Sequence, residues 1–238
     1  MNIYDQQILN VLMLLKEKDS QKLDTKDVIW QDVGKQNLVL RNEMSYELGG
    51  EAHPAVGFLG VTSSKELVDS DGASLCGKNL AQINENSPYA RITLLRIDDE
   101  LMGKGEKIYD AMGRLINTRY QVNPKGFMSR ISTSSKHEPV RVSATALEEG
   151  LSFEKVARLY VDAYKKHKEV IAAQVIFITL SDFNYGELSK IAQKNDEITA
   201  ALDHVLRDIR MDCSSCKLQP ICNEVEGLKE LHFKTEDK

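Results

Sequence analysis

An α+β or α/β fold, a layered mixed sheet flanked by helices with a C-terminal cysteine-rich metal-binding tail, is what three features of the sequence predict. Strand-like and helix-like segments alternate irregularly, with hairpin-like pairs between them, which fits a layered mixed sheet better than a regular doubly wound one. Two runs, Ala55–Val61 and Ala172–Leu180, are apolar enough to be strands buried on both faces. Three of the four cysteines fall between Cys213 and Cys222. A chain of 238 residues buries about 70–75 % of its unfolded surface and folds without crosslinks, so those cysteines are free for chemistry.

From the N-terminus, Ile8, Val11, Leu12 and Leu15 recur at helical spacing and predict a helix from about Asp5 to Lys18. Asn37–Arg41 reads as a short strand, and Ser45–Leu48 leads into the Gly49-Gly50 break. Between the Ala55–Val61 strand and Pro88 the chain is polar and punctuated by Asp71-Gly72, Cys76-Gly77 and Ser87-Pro88. Ala90–Ile97 alternates into a strand, and the acids at 98–100 open a helix to about Tyr120, where they oppose the positive dipole end. Its expected stripe is Leu101, Ile108, Met112, Leu115 and Ile116.

Phe127–Ser132 and Pro139–Val142 form an expected strand pair around the polar loop 132–138. Ser143 then caps a helix over 144–149, and Ser152 opens another to about His167. After Ala172–Leu180 comes a helix from about Tyr185 to Ile209. Three segments follow from this order: an N-terminal helical segment over 1–36, an α/β core over 37–182, and a helix with the cysteine-rich tail over 183–238.

Composition excludes several classes. A net charge of −5 argues against a phosphate-backbone binder, so no nucleic acid partner is expected. No run approaches the ~20 apolar residues of a membrane helix, so no membrane partner is expected either. The first residues lack the basic region and cleavage site of a signal peptide, which predicts a cytoplasmic protein. In that compartment thiols stay reduced, and clustered cysteines hold metals more often than they form disulfides.

Cys213-Ser-Ser-Cys216 followed by Cys222 is the strongest motif. A C-x2-C pair sets two thiolates within reach of one metal or cluster, and a third after a proline-containing loop closes most of a tetrahedral set. His232 is the natural fourth ligand, with Cys76 the alternative. Spacing alone leaves an iron–sulfur cluster and zinc both open. Weaker patterns weigh less. Gly72-Ala-Ser-Leu-Cys-Gly77-Lys78-Asn79 nearly matches a phosphate-binding loop, but Asn79 lacks the magnesium-holding hydroxyl and no buried strand precedes it. It reads as a surface loop. His53, His137, His167 and His204 read as solvated, and the basic run at 165–168 as a helix-closing feature.

Tyr46-Glu-Leu-Gly-Gly50 before an apolar strand, then Asp71-Gly72, Gly77 and Ser87-Pro-Tyr89, form an ordered set. Gly126-Phe-Met128, Val140-Arg-Val-Ser143 and the strand Ala173–Thr179 continue it. Together, over about 44–182, these resemble the acetyl-CoA synthase component (beta subunit) of the carbon monoxide dehydrogenase/acetyl-CoA synthase complex. The resemblance implies that Cys213, Cys216 and Cys222 hold a four-iron, four-sulfur (4Fe-4S) cluster, with His232 where the family's last cysteine falls. The family's nickel-holding Cys-Gly-Cys has no counterpart here, so the acyltransferase chemistry of the family is not expected of this chain alone. A shortened subunit-like relative is implied, binding an iron–sulfur cluster and a protein partner in anaerobic one-carbon or acetyl-CoA metabolism or electron transfer. The alternative is a zinc-stapled scaffold module without catalytic activity.

Overall fold

In a computed structural model the described residues are 2–50, 52–103, 106–130, 137–206, 217 and 219–225. Two sheets organise them. The larger has five strands: β1 (Gln21–Lys22), β3 (Ala55–Thr62), β4 (Gly72–Cys76), β5 (Tyr89–Ile97) and β8 (Val170–Ile178). Their order across the sheet is β1-β4-β8-β5-β3. It is mixed: β3 with β5 and β4 with β8 are parallel, β5 with β8 and β1 with β4 antiparallel. The smaller sheet, antiparallel, orders β2 (Met44–Leu48), β7 (Val140–Ser143) and β6 (Phe127–Ser129).

Helices pack on both faces of the large sheet. α1 (Asp5–Lys16) and α6 (Tyr185–Leu206) lie against each other and against β3. α5 (Phe153–Lys165) covers β8 and β4, and α3 (Glu106–Thr118) touches both α5 and α6. The mixed sheet flanked by helices is the architecture expected of the sequence. Buried side chains from Ile3 to Leu202 form one continuous apolar cluster. At its centre Tyr89, Phe153 and Phe177 stack, with Phe153 and Phe177 centroids 4.4 Å apart, and Phe127 meets Tyr89 and Phe153 edge-on. Such a pair contributes about 0.5–1.5 kcal/mol beyond its area.

Several elements follow the pattern that predicted them. In α1, Ile8 and Val11 are buried and Leu12 and Leu15 half-buried. The Ser143 side chain accepts a hydrogen bond from Ala146 N and caps α4 (Ala144–Glu148). β6 and β7 pair as expected around their loop.

Three expectations are corrected. Residues 37–41 form no strand: Leu38 and Leu40 are exposed, while Val39 is buried, with its N–H reaching the Met128 sulfur at 3.3 Å. Within the polar stretch 63–88 lies β4, whose Ala73, Leu75 and Cys76 are buried. The helix over 100–120 is two, α2 (Asp99–Met102) and α3, because Gly103 takes φ +83°, which helical residues do not adopt. The break turns Leu101 outward, where it is exposed, while Met112 and Leu115 stay buried.

Candidate functional site

Of the expected metal ligands, Cys213, Cys216 and His232 lie outside the described residues. Cys222 falls in α7 (Gln219–Glu224), and the structure describes the placement of that helix. Pro220 sits in its first turn, where a missing N–H costs nothing. α7 packs on α6; Lys194 donates to the Glu224 carboxylate, and Ile221 and Val225 pack against the main core. The stretch bearing the third thiol is therefore held against the body of the protein.

Cys76, the alternative fourth ligand, ends β4 with no exposure and pairs in register with Ile178. Burial pushes its thiol pKa up, and the hydrogen bond to Ser20 pulls the other way without cancelling it. As placed, the Cys76 side chain packs in the apolar core. Among the described residues no three His, Cys, Asp or Glu side chains converge on one point.

The near-match to a phosphate-binding loop has its backbone donors spent. Lys78 N donates to Thr179 Oγ1 at 2.8 Å, and Asn79 N donates to Gln82 Oε1 at 2.8 Å. The Asn79 side-chain oxygen Oδ1 accepts from Leu80 N and Phe153 N, which ties this turn to α5. Rather than a surface loop, the segment is a buried strand and a cap.

A cluster that sequence patterns did not single out lies on one face of the large sheet. Arg91, in the middle of β5, and Glu138, just before β7, are each 3 % exposed. Arg91 Nη2 donates to Glu138 Oε2 at 2.9 Å, and Arg119, beyond the end of α3, donates to the other carboxylate oxygen at 3.2 Å. The Arg91 guanidinium also donates to the Tyr160 hydroxyl and lies 4.2 Å from that ring's centroid. Arg119 also donates through Nη2 to the Tyr120 hydroxyl at 2.8 Å.

Burial works against the charge on Arg91, yet the Tyr160 and Glu138 oxygens more than offset it and hold its pKa above the ordinary guanidinium value. Burial likewise drives Tyr89 and Tyr160 upward, with Arg91 opposing, so both phenols stay protonated. The Tyr89 hydroxyl and the Arg119 Nε are buried without a hydrogen-bond partner. One carboxylate thus serves two guanidiniums. Of the two, Arg91 is buried, whereas 18 % of the Arg119 side chain stays exposed.

Room for Glu138 is made by Gly57, which lies beside Arg91 in the parallel register of β3 and β5. A Cβ on Gly57 would come within 2.2 Å of the Glu138 carboxyl carbon. One signal in the sequence could have found the cluster: an arginine two residues after Tyr89 shares that residue's sheet face, in a strand whose residues apart from the half-buried Arg96 are buried. Such a charge must have a partner. Its partner, however, sits 47 residues away in what reads as a polar loop.

The histidines differ as well. His137 is exposed, as expected, and His53 half-buried. His167 is not solvated: its Nε2 lies 2.7 Å from Thr118 Oγ1. Since that hydroxyl donates to the Arg114 carbonyl, it accepts from His167, and the proton sits on Nε2.

No described helix is long and apolar enough to cross a membrane. Compared with models of known protein families the chain matches none, and no curated protein matches it in sequence.

Proposed function

We propose that this chain is a metal-cluster protein, subunit-like and related to acetyl-CoA synthase, that binds an iron–sulfur cluster through Cys213, Cys216, Cys222 and His232. The supporting observation is the cysteine set itself, with its third member on a helix anchored to α6 through Lys194 and Glu224. Three thiolates and an imidazole suit a four-iron cluster, and equally a zinc ion. His232 is taken as the fourth ligand in preference to Cys76, whose side chain packs in the core at the end of β4. The chain's role is to carry and tune the cluster for a partner protein, in electron transfer or one-carbon chemistry. Formation of an acetyl group is not assigned to it, because no second cysteine set remains to hold nickel.

Metal and sulfide analysis of protein purified without oxygen tests this. About four iron and four sulfide per chain, with a broad thiolate-to-iron absorbance, are expected. Cys216→Ser should abolish them, and Cys76→Ala should leave the iron content unchanged. One zinc per chain and no sulfide would replace the cluster by a zinc-stapled module, and metal-free protein would overturn both.

A further inference from the structure

The N-terminal half of α1 meets α6 and α7 at a cleft of about 500 Å³, whose walls include Ile3, Gln6, Leu9, Lys194, Glu224 and Val225. Met13 stands one helical turn past Leu9 on the same side of α1. Leu9 is 38 % and Met13 63 % exposed, so the described residues leave an apolar ridge running away from the cleft. One exposed apolar side chain needs no partner, but two in line beside a cleft form a surface that gains by being covered. The chain leaves the described body at this same cleft. Val225 packs against the core and lines the cleft, and Lys194 holds the preceding Glu224. Residues 226–238 therefore start from its wall, and Leu228 and Leu231 lie three apart among them.

We infer that the cleft and the Leu9–Met13 ridge are the docking surface for the chain's own last residues, with Leu228 and Leu231 laid over Leu9 and Met13. The reach is sufficient in either regular conformation. Residues 226–231 span ~9 Å as a helix and ~20 Å extended, whereas Met13 lies only ~6 Å along α1 from Leu9, which borders the same cleft as Val225. Tethering decides the occupant. A segment joined at Val225 meets the ridge at an effective concentration on the order of mM, which a second copy or a separate protein does not reach in dilute solution. The contact needs no metal, so it stands or falls apart from the cluster proposal.

The Met13 thioether reads the docking, because its oxidation by hydrogen peroxide follows its exposure. In the full chain, peptide mass spectrometry should find Met13 oxidised about tenfold more slowly than in Leu231→Asp, a ratio within what burial of leucine surface supplies. Leu9→Lys, a change on the exposed side of α1, should free Met13 to the same extent by removing the other half of the contact. Met112 is buried and should stay slow in every variant, which shows that the fold persists. Cys216→Ser separates the docking from the metal site: iron content reports on the cluster alone, and Met13 should stay protected without it. Equal Met13 rates in the wild type and Leu231→Asp would overturn the inference. So would protection lost in Cys216→Ser, which would mean that metal ligation alone holds the tail. Protection that grows with protein concentration would overturn it as well and assign the ridge to a second copy of the chain.

Discussion

Two glycines three residues apart on β3 face opposite layers of the molecule. A Cβ at Gly60 would meet Ile8 Cγ1 at 2.6 Å, on the side covered by α1. One at Gly57 would meet the Glu138 carboxyl carbon at 2.2 Å, on the side of the aromatic stack and the arginines. Both positions admit glycine for the same steric reason, close approach of a neighbour. The neighbours differ: one is a buried apolar side chain, the other a carboxylate pinned at both oxygens. The first layer is specified by volume and the second by charge.

That contrast breaks most visibly at Glu138. Glu138→Ala leaves Arg91 buried with no counter-ion and should cost about 3–5 kcal/mol, read as a lower urea midpoint. Gly57→Ala should approach the same loss, since its Cβ can be accommodated only by displacing the carboxylate from both arginines. Arg91→Met should cost less than Glu138→Ala, because Arg119 and Glu138 remain as one pair. Equal losses for these two variants would mean that the cluster acts by packing and that charge balance does not decide it. On the other layer, Gly60→Ala asks that Ile8 and the Phe58 ring give way, and about 1–3 kcal/mol is expected. A Gly60→Ala penalty larger than that of Gly57→Ala would reverse the comparison.

The same contrast explains what could be foreseen. Apolar periodicity found the layer that volume specifies: Ile8 and Val11 of α1, the strand containing Gly60, and β8 with its run of buried Ala, Val, Ile and Phe. Local chemistry found Ser143, whose cap needs a partner only three residues away. Charge-specified features stayed hidden because they are non-local. Arg91 and Glu138 are far apart in sequence, and nothing near either names the other. β4 was hidden for a related reason: Gly72-Ala-Ser-Leu-Cys is too short and too polar to signal burial until β8 lies beside it in parallel register. The cysteine set was legible as spacing alone, and spacing leaves the choice between zinc and a cluster to measurement.

A smaller effect probes the small antiparallel sheet that bears Glu138's strand. Ser143→Ala removes the acceptor for Ala146 N and should cost about 1 kcal/mol. Because Ser143 ends β7 and starts α4, hydrogen exchange should speed up at Ala146 and leave β5 and β8 protected as before. Loss of protection spreading to Arg91 would show that the small sheet holds the charged cluster in place.

The smallest expected effect concerns His167, where pH sharpens the same division between packing and charge. Burial lowers its pKa below the ordinary value near 6.5, Glu169 opposes that shift, and Arg114 adds to it. A histidine whose folded pKa is depressed binds its proton more readily when unfolded. Its contribution to stability is therefore complete above about pH 6.5 and is lost as pH falls from there towards the folded value. The Nε2 proton already engages Thr118 in the neutral ring, so acidification adds charge at Nδ1 without breaking that bond. The loss comes from placing a cation in a half-buried site beside the Arg114 guanidinium, against the pull of the buried Glu169 carboxylate. Thermal melts at stepped pH should show the wild-type Tm declining faster than that of His167→Gln between about pH 6.5 and 5. Parallel curves would mean that Glu169 neutralises the incoming charge, and that even this edge of the apolar layer is governed by ion pairing.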